Sequence, residues 1–310
     1  MEFKIGNMTI VKVPEVELHG FTATQLLPNI NPSQLSSREP DLRIFDPNTG
    51  RVPLSVHSWL VRREDLTILV DTGIGNGKSR PGMKLFDNLN NPYLETLATL
   101  GVRPDQISHV LLTHIHADHV GWNTISQEGH WRPTFPIATV FCSELERLYG
   151  VALNFRTEAE IAEVLAYADR GKPVRRPTPG VFEDSIVPLD LRRRLTTVRL
   201  AKLGDSVEVL PDICYLPTPG HSIDHAAISI ASGGETAIFG GDVLHHPFEI
   251  YEPDLHSVFC EFPDHVSESR RWLLEYVAQS GATYFSSHFG GSSAGYISRK
   301  GSGYEWEFAG

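Results

Sequence analysis

Apolar residues along this chain fall into many short runs and few long ones. Runs at 8–13, 57–61, 66–70, 109–112, 139–142, 207–210, 226–230, 237–239 and 283–285 are rich in Val, Ile, Leu and Phe. Their length and composition predict β-strands. A 3.6-residue spacing over 92–100, 143–150, 158–168 and 266–279 predicts helices, and in the last of these Val266, Leu273, Leu274 and Val277 share one face. Strands with helices interspersed give an α+β inventory. No fixed-period repeat or Gly/Ser-rich or Pro-rich linker divides it, so a single domain over 1–310 is expected. Two stretches read as irregular. Residues 26–51 are dense in Pro, Asn, Ser and Asp and predict an N-terminal arm or loop. Residues 171–200 carry Pro173, Pro177, Pro179 and Pro188 and close an inserted helical and loop region of about 143–200.

Composition narrows the function classes. Hydrophobic residues make up 41% and charged residues 21%, as in folded globular chains, and the formal charge of -11 disfavours polyanions such as nucleic acid. Cys142, Cys214 and Cys260 are odd in number and far apart, which fits buried thiols better than a disulfide framework or a Cys-x-x-Cys zinc cluster. No basic leader with an apolar core and no run of 18 apolar residues is seen, so a cytoplasmic location without membrane association is expected.

The chemistry concentrates at 113–123, which read T-H-I-H-A-D-H-V-G-W-N and place His114, His116, Asp118 and His119 within six residues. Imidazole nitrogen mixed with carboxylate oxygen suits Zn²⁺, Mn²⁺ or Fe²⁺ better than Ca²⁺ or Mg²⁺. Three more segments follow the same plan, an apolar run ending in small residues and then His or Asp: T-P-G-H-S-I-D-H at 218–225, F-G-G-D-V-L-H-H-P at 239–247 and F-S-S-H-F-G at 285–290. Sheets present side chains to a cleft at such strand ends.

Taken in order, His114-x-His116-x-Asp118-His119, His221, Asp242 and His288 resemble the metallo-β-lactamase superfamily of hydrolases, in its lactonase and methyl-parathion-hydrolase branch. The motif resemblance runs from about Asp71 to His288; the first 55 residues match loosely, and the gap before His221 is longer than in compact members. The resemblance implies an αβ/βα four-layer sandwich with two mixed sheets flanked by helices. It also implies two divalent metal ions, Zn²⁺ first with Mn²⁺, Co²⁺ or Fe²⁺ as alternatives. His114, His116 and His221 would hold one ion, Asp118, His119 and His288 the other, and Asp242 would bridge them. The implied activity is hydrolysis of a lactone or ester of a small, weakly charged substrate by a bridging hydroxide, with Asp242 holding the ions and Asp118 also serving as proton shuttle. An organophosphate triester is the alternative substrate. A β-lactamase ranks lower because those enzymes usually lack the Asp118-His119 pair. A di-iron flavoprotein ranks lower still, since Asp118 is the only acid in the cluster.

Asp71, ending the run I-L-V-D, is the position where family members orient a ligand histidine, and His225 follows the Thr-Pro-Gly-His turn as further support of the site. Trp122, His245, Phe248 and Phe289, with Phe285, are candidates for lining a substrate pocket, core packing being the equal alternative. His246, like His225 and His245 taken singly, reads more readily as a structural histidine than as a catalyst. G-I-G-N-G-K-S after Asp71 is no phosphate loop, because Thr72 stands where its first glycine belongs. Gly291-x-Ser293-x-Gly295 has no histidine after it for a serine hydrolase. Arg175-Arg176 and Arg192 to Arg194 read as solvated faces. The resemblance also admits a homodimer, with 26–51 as its arm.

Overall fold

A computed structural model describes residues 1–31, 44–63 and 66–310. The first sheet has the order β1-β2-β3-β4-β5-β8-β9, with β1 (Glu2–Ile5), β2 (Met8–Leu18), β3 (Leu54–Arg63), β4 (Leu66–Val70), β5 (His109–Leu111), β8 (Thr139–Ser143) and β9 (Leu195–Val198). Strands β1 to β4 pair antiparallel, and from β4 through β5 and β8 to β9 the pairing is parallel. A separate hairpin joins β6 (Thr124–Gln127) to β7 (His130–Pro133).

The second sheet follows chain order, with β10 (Val207–Leu210), β11 (Ile213–Pro217), β12 (Ala226–Ser232), β13 (Glu235–Phe239), β14 (Thr283–Phe285), β15 (Ala294–Lys300) and β16 (Gly303–Phe308). Only β13 and β14 are parallel there, because the helix Pro263–Ser280 crosses between them.

Side-chain alternation explains the layering. In β3 and β4, Trp59, Val61, Ile68 and Val70 point inward and meet Tyr215, Ile228, Ile230, Phe239 and Phe285 of the second sheet. Leu60 and Leu69 point outward and pack with Tyr93 and Leu97 of the helix Tyr93–Thr99. In the second sheet Leu216, Ala227, Ile238 and Tyr284 face the helix 263–280, against its Leu273, Leu274 and Val277. Each sheet is apolar on both faces, so two sheets need two helical covers: the fold is the expected four-layer α+β sandwich of two mixed sheets flanked by helices.

The predicted elements form with boundaries shifted by a few residues, the second helix extending to Glu144–Phe155 and the fourth to Pro263–Ser280. Strands β1, β6, β7, β9, β11, β15 and β16 go beyond the sequence reading. Several lie at sheet margins where half the side chains face water: along β15 only Ala294, Gly295 and Ile297 are buried. The stretch 171–200 is less irregular than expected, folding into short helices Val181–Ser185 and Val187–Leu191 and edge strand β9. The expected arm at 26–51 falls in part, 32–43, outside the described residues; its flanks are a capped turn of helix ending at Leu26 and a turn at Asp46 to Gly50. Cys142 and Cys260 are buried as expected, but Cys214 is only half-buried. No helix among the described residues is long and apolar enough to cross a membrane.

Candidate metal centre

Five strands of two sheets end at one rim. The chain leaves β4 at Asp71, β5 into residues 113–123, β11 into 218–225, β13 at Asp242 and β14 at His288. All seven candidate ligands converge there. Nε2 of His221 lies 3.1 Å from Nε2 of His114 and 2.8 Å from Nδ1 of His116. Nε2 of His119 and of His288 lie 3.2 and 3.0 Å from Oδ1 of Asp242. Oδ2 of Asp242 is 3.2 Å from Nε2 of His221, so its carboxylate stands between the two histidine groups. Asp118 is looser, its oxygens 3.9 and 3.8 Å from Nε2 of His119 and His288.

Four of these rings are anchored on the side away from the centre. Nδ1 of His114 meets Thr113 Oγ1 at 3.0 Å, Nε2 of His116 meets Glu261 Oε1 at 2.7 Å, Nδ1 of His119 meets Asp71 Oδ2 at 2.8 Å, and Nδ1 of His288 meets the Ser55 carbonyl at 2.9 Å. A neutral imidazole has one N–H to give, and with carboxylates and a carbonyl outside it is spent there. The nitrogens that face one another therefore present lone pairs. Burial holds His114 and His221 well below the usual imidazole range, in the neutral form a cation requires. Burial alone would also keep Asp242 protonated, but His119, His288, His221 and His245 around it prevail and leave it a carboxylate.

This donor set fits divalent cations. Among the described residues, His119 Nε2 and Asp242 Oδ1 are buried without a hydrogen-bond partner, a costly condition that a cation would relieve. His114, His116 and His221 form one group with ligand atoms within 4.8 Å of one another, and Asp118, His119 and His288 form a second.

Local folding explains the convergence. Asp71 adopts φ 55°, turning the chain so that its Oδ1 accepts from the Thr113 amide at 2.8 Å while Oδ2 takes the Thr113 hydroxyl and His119. The Asp-Thr-Gly turn then pairs with the ligand loop through Thr72 N to His119 O and Gly121 N to Gly73 O. Gly241, at φ 53°, passes so close to the His225 ring and Thr113 that a Cβ there would overlap both. That approach lets His225 Nε2 accept from the Asp242 amide at 2.9 Å while its Nδ1 donates to Thr218 Oγ1. Asp71 thus holds the ring of His119, and His225 the backbone of Asp242.

Sequence reasoning missed three supports. Glu261 anchors His116. Glu249, fully buried, accepts from the amides of His245 and His246 at 2.5 and 3.0 Å and pairs with buried Arg270 at 2.6 Å. The signal was present in part: an acid four residues after His245 and a charged Arg270 in the apolar half of a helix.

Beside the centre lies a cavity of about 520 Å³, walled by Leu18, Phe21, Leu54, Met83, Phe86 and Phe259 and reaching His116, Asp118, His221, Asp242, His245 and His288. Of the proposed lining residues only His245 lies on it. Its Nε2 is 3.3 Å from Asp242 Oδ2, and both ring nitrogens lack a hydrogen bond. Trp122 instead stacks on Tyr93 and donates to Glu15, Phe248 packs on His246 and Phe45, Phe289 packs on Trp306 and Tyr284, and Phe285 lies between the sheets on Trp59. All four are buried, so packing prevails. His246 is structural, its ring bonded to the Ile44 carbonyl at 2.7 Å. Arg175 departs from the expected solvated face and lines the cavity, whereas Arg176 pairs with Glu158 at the surface.

The family model described as Metallo-beta-lactamase superfamily matches residues 51–288, beginning twenty residues before Asp71. A probable metallo-hydrolase of Mycobacterium tuberculosis is 27% identical over 228 residues, 68% of this chain and 65% of that protein, so the match spans less than two thirds of the relative. The N-acyl homoserine lactonase AiiB of Agrobacterium fabrum is 35% identical over 83 residues, 23% of this chain and 29% of AiiB. Among solved structures, AidC, described as a dizinc quorum-quenching lactonase in complex with a product, superposes with a TM-score of 0.74 over 100% of this chain and 97% of its own, at 21% identity.

Proposed function

This chain belongs to the metallo-beta-lactamase superfamily; we propose that it is a metal-dependent hydrolase that works with two divalent cations to open a lactone or cleave an ester of a small molecule whose reacting end is uncharged. The observation that carries the reading is the convergence of seven ligand side chains, with His119 Nε2 and Asp242 Oδ1 buried and unpartnered at their centre. His114, His116 and His221 would hold one cation, Asp118, His119 and His288 the other, with Asp242 between. Bound there, the pair would supply Lewis acidity and a water of lowered pKa.

The protein's own groups do the rest. Apolar walls at Leu18, Phe21, Leu54 and Phe86 receive the acyl part and exclude bulk water. Asp118, its side chain 18% exposed against 5% for Asp242, is the more open carboxylate and would take a proton from the attacking water and pass it to the departing oxygen. His245 lines the same cavity, its Nε2 3.3 Å from Asp242 Oδ2, and is placed to donate a hydrogen bond to substrate oxygen. The similarity to two lactonases, AidC and AiiB, supports the lactone class.

The test is a parallel assay of the zinc-loaded protein on a lactone panel, aryl esters and phosphotriesters. Lactone or ester turnover that disappears on chelation is the expected result. Turnover of phosphotriesters far above both, or none on any, would overturn the reading.

A further inference from the structure

The cavity wall carries two cations with no carboxylate partner among the described residues. Arg175 is half-buried and lies with its guanidinium carbon 5.4 Å from the Phe259 ring centre. One of its five N–H donors reaches the Val258 carbonyl at 3.2 Å. Among the described residues, no carboxylate comes within ion-pairing distance of Arg175, or of Lys84, which lines the same cavity from the opposing segment. The two segments meet where the Thr178 hydroxyl approaches Met83 Sδ at 2.8 Å. In a chain of net charge -11, half-buried Arg175 and exposed Lys84 place positive charge on the part of the wall away from the carboxylates of the centre.

Arg175 is held in place. The neighbouring Val174 amide donates to the Glu261 carbonyl at 2.9 Å, and Glu261 anchors the metal-facing His116. From the guanidinium to the centre is two short steps: 5.4 Å to the Phe259 ring, then 6.1 Å from that ring to the His245 ring. A short acyl chain spans such a distance. A guanidinium stacked on an aromatic face, with donors free and water partly excluded, matches a carboxylate better than any neutral group.

We propose that Arg175, aided by Lys84, selects substrates that bear a carboxylate on the acyl chain at the end remote from the bond to be cleaved. The inference rests on the hydrolase reading above and narrows its substrate: neutral at the reacting end, anionic at the other.

The test compares two aryl esters of equal chain length, 4-nitrophenyl hydrogen glutarate and 4-nitrophenyl pentanoate, with zinc-loaded wild type and Arg175→Gln, which keeps a donor for the Val258 carbonyl. Wild type is expected to prefer the acidic ester. Arg175→Gln should lower kcat/KM on it about tenfold or more, mainly through KM, and leave the pentanoate within about twofold. Added salt should erode the same preference. In parallel, calorimetric binding of glutaric acid monoanilide, which needs no turnover, should weaken about tenfold in the variant. Equal losses on both esters, or a wild-type preference for pentanoate, would overturn the proposal. If both esters are hydrolysed without acid preference, this inference falls while the hydrolase reading stands. If neither is hydrolysed yet anilide binding still depends on Arg175, the hydrolase reading falls and the carboxylate site stands.

Discussion

Glu261 and His116 meet through one short contact, Oε1 to Nε2 at 2.7 Å, with the carboxylate side chain wholly buried. A carboxylate fixed against the outer nitrogen sets both the tautomer and the plane of the ring, so His116 offers Nδ1 to the centre. Glu261→Gln keeps size and shape but removes that charge. Metal affinity should fall about 10- to 100-fold, measured by competition with a chromogenic chelator; an unchanged affinity would dismiss the anchoring role.

Asp71 makes the same argument for His119, with a conformational complication. At φ 55° it occupies a region that most residues avoid but Asn tolerates. Asp71→Asn therefore reports on the carboxylate and not on backbone strain. The melting temperature of the metal-free protein should fall, because the amide cannot accept from both donors that an Asp71 oxygen now takes, and the loaded protein should lose about one of two metal equivalents by elemental analysis. Full retention of both would remove Asp71 from the site.

Asp242 is the group shared by both sets of histidines. Asp242→Ala is expected to lower kcat by about three orders of magnitude, as removal of charge stabilisation at a reacting centre does, and to reduce bound metal. Circular dichroism identifies a variant that merely fails to fold. A folded, metal-depleted and inactive protein is the anticipated outcome.

Removing metal should weaken the fold as well as the activity. Seven side chains that face one another are stabilised by what they bind, and ligand bound only to the native state adds about 2.7 kcal/mol at a concentration 100 times its Kd. Dialysis against chelator should lower Tm, and Zn²⁺, Mn²⁺ or Co²⁺ should restore it in a concentration-dependent way. A Tm indifferent to chelation would speak against a filled centre.

Lys78 offers a pH test away from the site. It is buried, 3.2 Å from Asp184 Oδ1 and 2.8 Å from Thr124 Oγ1, and burial lowers its pKa to about 8 although Asp184 pulls the other way. Below pH 8 both folded and unfolded chains hold the proton, and the fold bears the full cost of the buried charge. Above it the folded chain releases the proton first, so stability rises with pH until the unfolded lysine titrates. Relative to Lys78→Met, the wild type should gain about 2 kcal/mol between pH 7.5 and 9.5 in urea unfolding. A constant difference would contradict the lowered pKa.

How far the sequence was legible follows from what each feature depends on. The ligand cluster was readable because metal chemistry demands particular residue types and the loop after β5 gathers four of them. The inner strands were readable because both their faces are apolar. Margin strands such as β15 and β16 were not, since Ile297 and Trp306 reach the core among residues that face water. The cavity was the least legible part. Trp122 and Phe289 look as suitable for a wall as Phe259, and only the path of the backbone decides that Trp122 meets Tyr93 while Phe259 meets open space. Glu261 and Arg175 were hidden for the same reason: their partners lie far away along the chain, and no local pattern marks them.

The two sheets divide the chain at a single place. Every strand of the first precedes residue 200, and every strand of the second follows it. His114, His116, Asp118 and His119 belong to the first half, and His221, Asp242 and His288 to the second. A cut in the exposed turn near Gly204 would leave each fragment with a whole sheet and an incomplete set of donors. Two such pieces, mixed, would meet through the apolar faces between the sheets, and zinc would tighten the union, which makes the centre a clasp between halves as well as a place for chemistry.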